Sequence, residues 1–458
     1  MATPSPSDPF SAADKALRGR DALFPFGGTT AFGKTAVGGD RLGPLGYPGL
    51  ESLLVAPPLF TPLRMERMLE LGREPVHTDV DTRVHLGGFV ASMPVTVGAM
   101  GSTDIANRHG CDIARAAGHA GIVMSIGENV ATMRGYDRRI KPDEPSLKER
   151  MLAYLEACPD GEGGLLLQQS VEDADAELWN RVYADPAFAP YLDQGMVGFE
   201  IKAGQGAKPG LGGEVRVSRD EARRLKGRFK FPEDPDRTDL PHYDRHCAPG
   251  TFSADILANQ LRLIKNNFPK ARLWLKLGGY RDLAQIIRVA ESAGVDAVTL
   301  DGHAAGTGMA PTVALRHLGV PTLACLGLAA AHRRSGSRLT MLVSGGLSDG
   351  ADAMKAVACG ASGIALGRPF LEAAAAAGEE GVQRFLAVVK EEVQLLASAV
   401  GKYHMEDLTP EDLVATDPHV GAALGVPDMY GVPAQDAVPA HSGAKTKSAS
   451  RDGESVAT

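Results

Sequence analysis

Charged groups and bare glycine backbone recur in this sequence at the ends of short apolar runs. RLWLKLGG (272–279) carries Lys276 on an otherwise apolar stretch. An ammonium there either snorkels at a strand end or stands as a fixed cation beside an electron-rich cofactor or a substrate anion. AVTLDGH (297–303) leads into Asp301-Gly302-His303-Ala304-Ala305-Gly306-Thr307-Gly308, where small residues let backbone approach a ligand closely. RLTMLVSGG (338–346) ends in Ser344-Gly345-Gly346, and GIALGRP (363–369) contains Leu366-Gly367-Arg368. Glycine turns followed by helix N-termini offer backbone N–H groups and a helix dipole to a phosphate, and Arg368 adds a charge-assisted donor. His303 reads either as a base or as a hydrogen-bonding spacer. His242 and His246 in HYDRH are closely spaced, but they lie in a Pro-rich loop and are not taken as a metal site.

Positioning these groups is the task of eight apolar runs: the four above joined by PVTVGAM (94–100), IVMSIG (122–127), LLLQQ (165–169) and MVGFEIKA (196–203). Several are continuously apolar, as parallel strands covered on both faces must be. Between them, DIANRHGCDIARAAGHAG, ADILANQLRLIKNNFP, DLAQIIRVAESAG and GADAMKAVACGA place apolar residues at three- and four-residue spacing. Eight strand–helix units predict an α/β fold, a (β/α)8 TIM barrel with an N-terminal arm and a C-terminal helical extension. In such a barrel every strand end faces one mouth, so Lys276 and the glycine turns after strands seven and eight converge. That combination suits flavin mononucleotide (FMN), whose phosphate needs an N–H cradle and whose reduced ring needs a nearby cation.

The expected organisation is an arm and barrel lead-in over 1–89, the barrel with a closing helix (381–401) over 90–415, and an extension over 416–458 that is disordered from about 433. The first 50 residues show no sustained helical period, and about 65 residues dense in Pro, Gly and charge follow Gly204. With 458 residues, 44% hydrophobic and 23% charged, the chain can bury a large core. Its net charge of −8 argues against a nucleic-acid or anionic-membrane partner. No apolar run reaches about 18 residues and no secretory signal opens the chain, so a cytoplasmic location is expected. Five scattered cysteines without a CxxC fit neither a disulfide framework nor a metal cradle, so no metal is expected.

EIKAGQGAKPGLGG (200–213) carries the most specific signal, and it resembles the hallmark loop of the flavin-binding synthase domain of glutamate synthases. GAMGSTDIA, SIGEN, WLKLGG, DGHAAGTGMAP and VSGGLSDGADAMKAVACGASGIALGRP resemble that family in the same order, over roughly 90–415. The resemblance implies a stand-alone FMN-dependent oxidoreductase acting on a C–N bond of an amino or imino acid or a related 2-oxo acid. It implies that Glu128, Gln205 and Lys208 line the substrate side. Ala99, Met100, Ser125, Gln168, Lys276, Asp301, Gly302, Gly306, Ser344, Gly345, Gly346, Gly367 and Arg368 would hold the FMN. A structural ion pair is the other reading of Glu128 and Lys208.

Four departures stand out. The family's cysteine trio after the eighth strand is missing from GRPFLEAAAAAGEEGVQRFL, Ala2 stands where the glutaminase domain has its cysteine nucleophile, and Leu211 replaces a commonly acidic residue. QQSVEDADAELWNR also replaces the family's substrate-side pattern after the third run. Two alternatives therefore stay open. One is a redox-neutral or oxidase-type FMN barrel, like isopentenyl diphosphate isomerases or 2-hydroxy acid oxidases. The other is an FMN-binding subunit working with separate electron-supply or amidotransferase chains. A small-molecule amino or 2-oxo acid partner and a homo-oligomer are expected.

Overall fold

The computed structural model describes residues 12–19, 47–101, 103–169, 177–204, 215–227, 229–240, 243–245, 253–305 and 318–429. After a short strand β1 (Leu53–Val55) and a hairpin of β2 (Val84–Leu86) and β3 (Phe89–Ala91), the first barrel strands are β4 (Val95–Met100), β5 (Val123–Ile126), β6 (Gly164–Gln169) and β7 (Val197–Lys202). A second hairpin, β8 (Val215–Val217) and β9 (Tyr243–Arg245), precedes β10 (Arg272–Leu277), β11 (Ala297–Asp301), β12 (Thr340–Ser344) and β13 (Gly363–Leu366), and β14 (Leu413–Ala415) follows. Strands β4–β7 and β10–β13 close into one eight-stranded barrel, each neighbour pairing parallel, so the eight runs expected from the sequence are its eight staves.

The outward side chains meet flanking helices, which makes the strands read as continuous apolar runs. Inside, the barrel is layered. Its floor is an apolar plug in which Leu86, Phe89 and Ala91 of the hairpin pack against Val123, Leu166, Trp274, Ala297 and Leu342. Trp274 also donates its indole N–H to Gly87 O at 3.1 Å. Gly164 makes room for the plug: a Cβ there would lie 2.3 Å from the Phe89 ring. Closing the floor with bulky side chains leaves only the opposite end open, so the site can be built only at the strands' C-terminal ends.

Four expectations need adjusting. Ala12–Arg18 is a helix although the first 50 residues lack a helical period; two turns are too short to show one, and packing on the Arg368–Ala399 helix supplies the stability. Lys15, itself buried, anchors that contact through Glu392 at 2.8 Å. The closing helix expected over 381–401 is the second of two that meet at a kink at Ala377 and Gly378, a first helix starting at Arg368 preceding it. DIANRHGCDIARAAGHAG forms two helices, Asp104–Arg108 and Gly110–His119. The long connection after Gly204 contains the β8–β9 hairpin and the helix Arg219–Leu225. The segment from 433 onward lies outside the described residues.

Candidate functional site

Alternation along each strand sends every second side chain into the barrel. On β7 this puts Gly198, Glu200 and Lys202 on the inner face, and pairing registers carry that face to the neighbours: Gln168 and Trp274 lie opposite Glu200, Lys276 opposite Lys202, and Ser344 opposite Asp301. Above the apolar floor the interior is therefore a polar layer.

Its members are tightly linked. Lys276 lies 3.1 Å from Asp301, with side chains 8% and 3% exposed. The other Asp301 oxygen accepts from the Ser344 hydroxyl. Burial alone would lower the Lys276 pKa, but Asp301 and Glu200 outweigh it and hold the ammonium above its ordinary value. Glu200 Oε2 accepts from Ser125 Oγ at 2.9 Å and from Gln168 Nε2. Burial pushes its carboxyl up, against the pull of Lys276.

At the rim, Glu128 is half-buried after β5 and pairs with Lys202 at 2.5 Å. Burial alone would raise Glu128; the Lys202 ammonium outweighs it and holds the carboxyl below its ordinary value. Lys202 and Glu200 carry no assignment from the sequence, yet the period-2 spacing Gly198-Glu200-Lys202 marks them as one strand face. Gln205, Lys208, Gly306, Leu211, His242 and His246 lie outside the described residues. His303 is buried in the loop after β11; its Nδ1 meets the Tyr47 hydroxyl from the arm, and its Nε2 is buried without a partner among the described residues.

Beyond β12 and β13 the backbone takes the shape an anion needs. Gly345 has φ +107° and would bring a Cβ within 2.7 Å of Ala305 N, so only glycine makes that turn. Around Gly367, by contrast, a Cβ would meet nothing within 4 Å: it faces open space at the start of the Arg368–Ala399 helix. Arg368 is exposed there and forms no ion pair among the described residues. A phosphate at this helix start would meet backbone N–H groups, the helix dipole and a guanidinium, on the side of the barrel where Ser344 touches Asp301. Ala99 and Met100, at the end of β4, lie next in the closed barrel to β13. Gly302 packs its Cα against Thr322, and Gly346 has φ +75°. The donor set fits a phosphorylated, electron-accepting ring compound. Among the described residues, no group of three or more His, Cys, Asp or Glu side chains is placed to hold a metal, and no helix is long and apolar enough to cross a membrane.

Comparison with known proteins fits this arrangement. Residues 157–378 match the conserved region in glutamate synthase. A glutamate synthase large subunit-like protein of Rhizobium meliloti is 29% identical over 284 residues, covering 50% of this chain and 61% of its own. An archaeal glutamate synthase [NADPH] of Methanocaldococcus jannaschii is 33% identical over 182 residues, 39% of this chain and 34% of its own. The chain thus spans only part of the length of these relatives. Among solved structures, a flavocytochrome b2 variant with sulfite bound superposes with a TM-score of 0.54 at 16% identity, covering 97% of this chain and 94% of that one. A mandelate oxidase variant with 2-hydroxy-phenylacetamide gives 0.52 at 22%, covering 87% and 96%. These two likenesses speak to the fold. Residues 157–378 of the barrel thus carry a region conserved in glutamate synthase, and over that part the chain is similar to glutamate-synthase-like proteins.

Proposed function

We propose that the chain is an FMN-dependent oxidoreductase of the glutamate-synthase type, acting on a C–N bond of an amino or imino acid or the related 2-oxo acid. The observation that carries this reading is the buried Lys276–Asp301 pair at the barrel's centre, tied through Ser344 to the glycine turn after β12. Gly345, Gly346, Gly367 and Arg368 would cradle the phosphate. The backbone at Ala99, Met100, Gly302 and Gly306, with Ser125 and Gln168, would line the ring. Bound FMN supplies a two-electron hydride donor and acceptor.

The chain's own groups do the rest. Asp301 keeps Lys276 protonated and fixed, so a cation stands where negative charge collects. At the rim, opening the Glu128–Lys202 pair frees an ammonium for a substrate carboxylate and a carboxylate that exchanges a proton with ammonia or the imine nitrogen. Gln205 and Lys208 join that side by family resemblance. By the same family resemblance, a separate electron-supply or amidotransferase chain belongs to the proposal.

The test begins with the absorbance spectrum of the purified protein and its uptake of added FMN. Anaerobic mixing with amino acids, and with 2-oxo acids plus ammonia after photoreduction, follows. Flavin bleaching or reoxidation by these compounds supports the reading. A chain that binds no FMN overturns it, and a response to 2-hydroxy acids alone moves the assignment to an oxidase-type barrel.

A further inference from the structure

Among the described ionisable groups of the polar layer, Glu200 has no task in the chemistry above. Lys276 faces Asp301 and Lys202 faces Glu128, so two cations already balance two anions. Glu200 is 2% exposed and receives only neutral donors, the Ser125 hydroxyl and the Gln168 amide, both on Oε2. No described group donates to Oε1 within hydrogen-bond distance. An ionised Glu200 is thus an excess negative charge in a water-poor space, which burial already disfavours. Of its charged neighbours, Lys276 from β10 opposes the effect of burial and Asp301 from β11 adds to it more weakly, and the Glu128–Lys202 pair lies one layer higher. Any further negative charge in the mouth shifts Glu200 toward its neutral form.

We propose that Glu200 takes up a proton when electrons enter the mouth's occupant, so that the centre of the barrel keeps its net charge. The inference rests on the FMN reading. Two electrons from a dye-mediated electrode pass to the flavin with one proton from solvent. A second solvent proton bonds to a carboxylate oxygen of Glu200, giving the neutral acid, and no bond in the protein breaks.

Spectroelectrochemical titration of the FMN-loaded chain over a pH series tests this. The midpoint potential of the parent falls with pH about twice as steeply as that of Glu200→Gln, since about two protons accompany the electron pair in one and about one in the other. Equal slopes with FMN retained overturn the inference and leave the FMN reading standing. Infrared difference spectra, reduced minus oxidised, give a second readout: a carboxylic acid C=O band appears in the parent and is missing in Glu200→Gln. If the variant holds no FMN, the parent spectrum decides alone after glutamate isotope labelling, and the lack of a glutamate-derived band overturns the proposal. A parent that takes up no FMN removes the reading beneath it, and the inference falls with it.

Discussion

Lys202 and Lys276 sit opposite each other in the parallel pairing of β7 and β10, yet each turns to a different carboxylate, Glu128 and Asp301 respectively. Adjacent strands lie about 4.8 Å apart, so two ammonium groups in register repel unless each has its own anion. The Lys276 pair is sealed in the barrel, with side chains 8% and 3% exposed, while the Lys202 pair is 15% and 20% exposed at the rim. The inner pair is a fixed element of the fold, and the outer one can exchange its partner for a ligand.

Removing the two lysines separately should therefore have unequal effects. Lys276→Met leaves Asp301 buried without its cation, which costs roughly 3–5 kcal/mol. Lys202→Met leaves Glu128 partly open to water at the rim and should cost less than that. Urea unfolding of the flavin-free chain measures both, and equal losses would contradict the division into inner and outer pairs.

Two glycines should separate folding from cofactor binding. Gly345→Ala forces a side chain into φ +107° and against Ala305 N, so the flavin-free protein should lose stability by roughly 1–3 kcal/mol. Gly367→Val meets open space, so the chain should fold with its melting temperature little changed and fail to retain FMN. A Gly367→Val protein that keeps its flavin would remove the phosphate from this helix start.

The barrel was legible in the sequence because eight short apolar runs, each doubly covered, stand out from amphipathic helices. Lys276, Asp301 and Ser344 were legible as polar residues ending such runs. Partnership was not: Glu128 and Lys202 are 74 residues apart, and only closure of the barrel sets β5 near β7. Reading EIKAG as a loop signature also hid that Glu200 and Lys202 share an inner strand face. The helix Ala12–Arg18 escaped because its stability comes from Lys15 and Glu392, a contact between opposite ends of the chain.

On the substrate side, Lys208→Ala should keep its FMN while weakening substrate-dependent bleaching about tenfold to a hundredfold, the worth of a charge-assisted hydrogen bond of roughly 1.5–3 kcal/mol. Glu128→Gln should bind substrate and turn over slowly, since it keeps the shape but cannot exchange a proton. Stopped-flow traces of flavin absorbance distinguish these outcomes. Normal turnover in both variants would take these residues out of the reaction.

The pH dependence of stability offers a check on the outer pair that needs neither flavin nor substrate. Glu128 is held below its ordinary value of 4.5 in the folded chain by Lys202, against the effect of burial. A carboxylate depressed on folding contributes stability that is complete above its unfolded pKa and is lost as pH falls through the folded one. The melting temperature of the parent should therefore exceed that of Lys202→Met most at neutral pH, the margin narrowing toward acid because without Lys202 burial raises the Glu128 carboxyl and the variant recovers as it protonates. Below 4.5 the margin should shrink as Glu128 gains its proton in the folded chain and the pair loses its attraction. Glu200 runs in the opposite sense: its carboxyl is raised by burial, so the parent should lose stability relative to Glu200→Gln as pH climbs past 4.5. Thermal unfolding of the parent and both variants across the acid range reads the two trends together, and a Lys202→Met margin that does not change with pH would mean that the rim pair is not formed in solution.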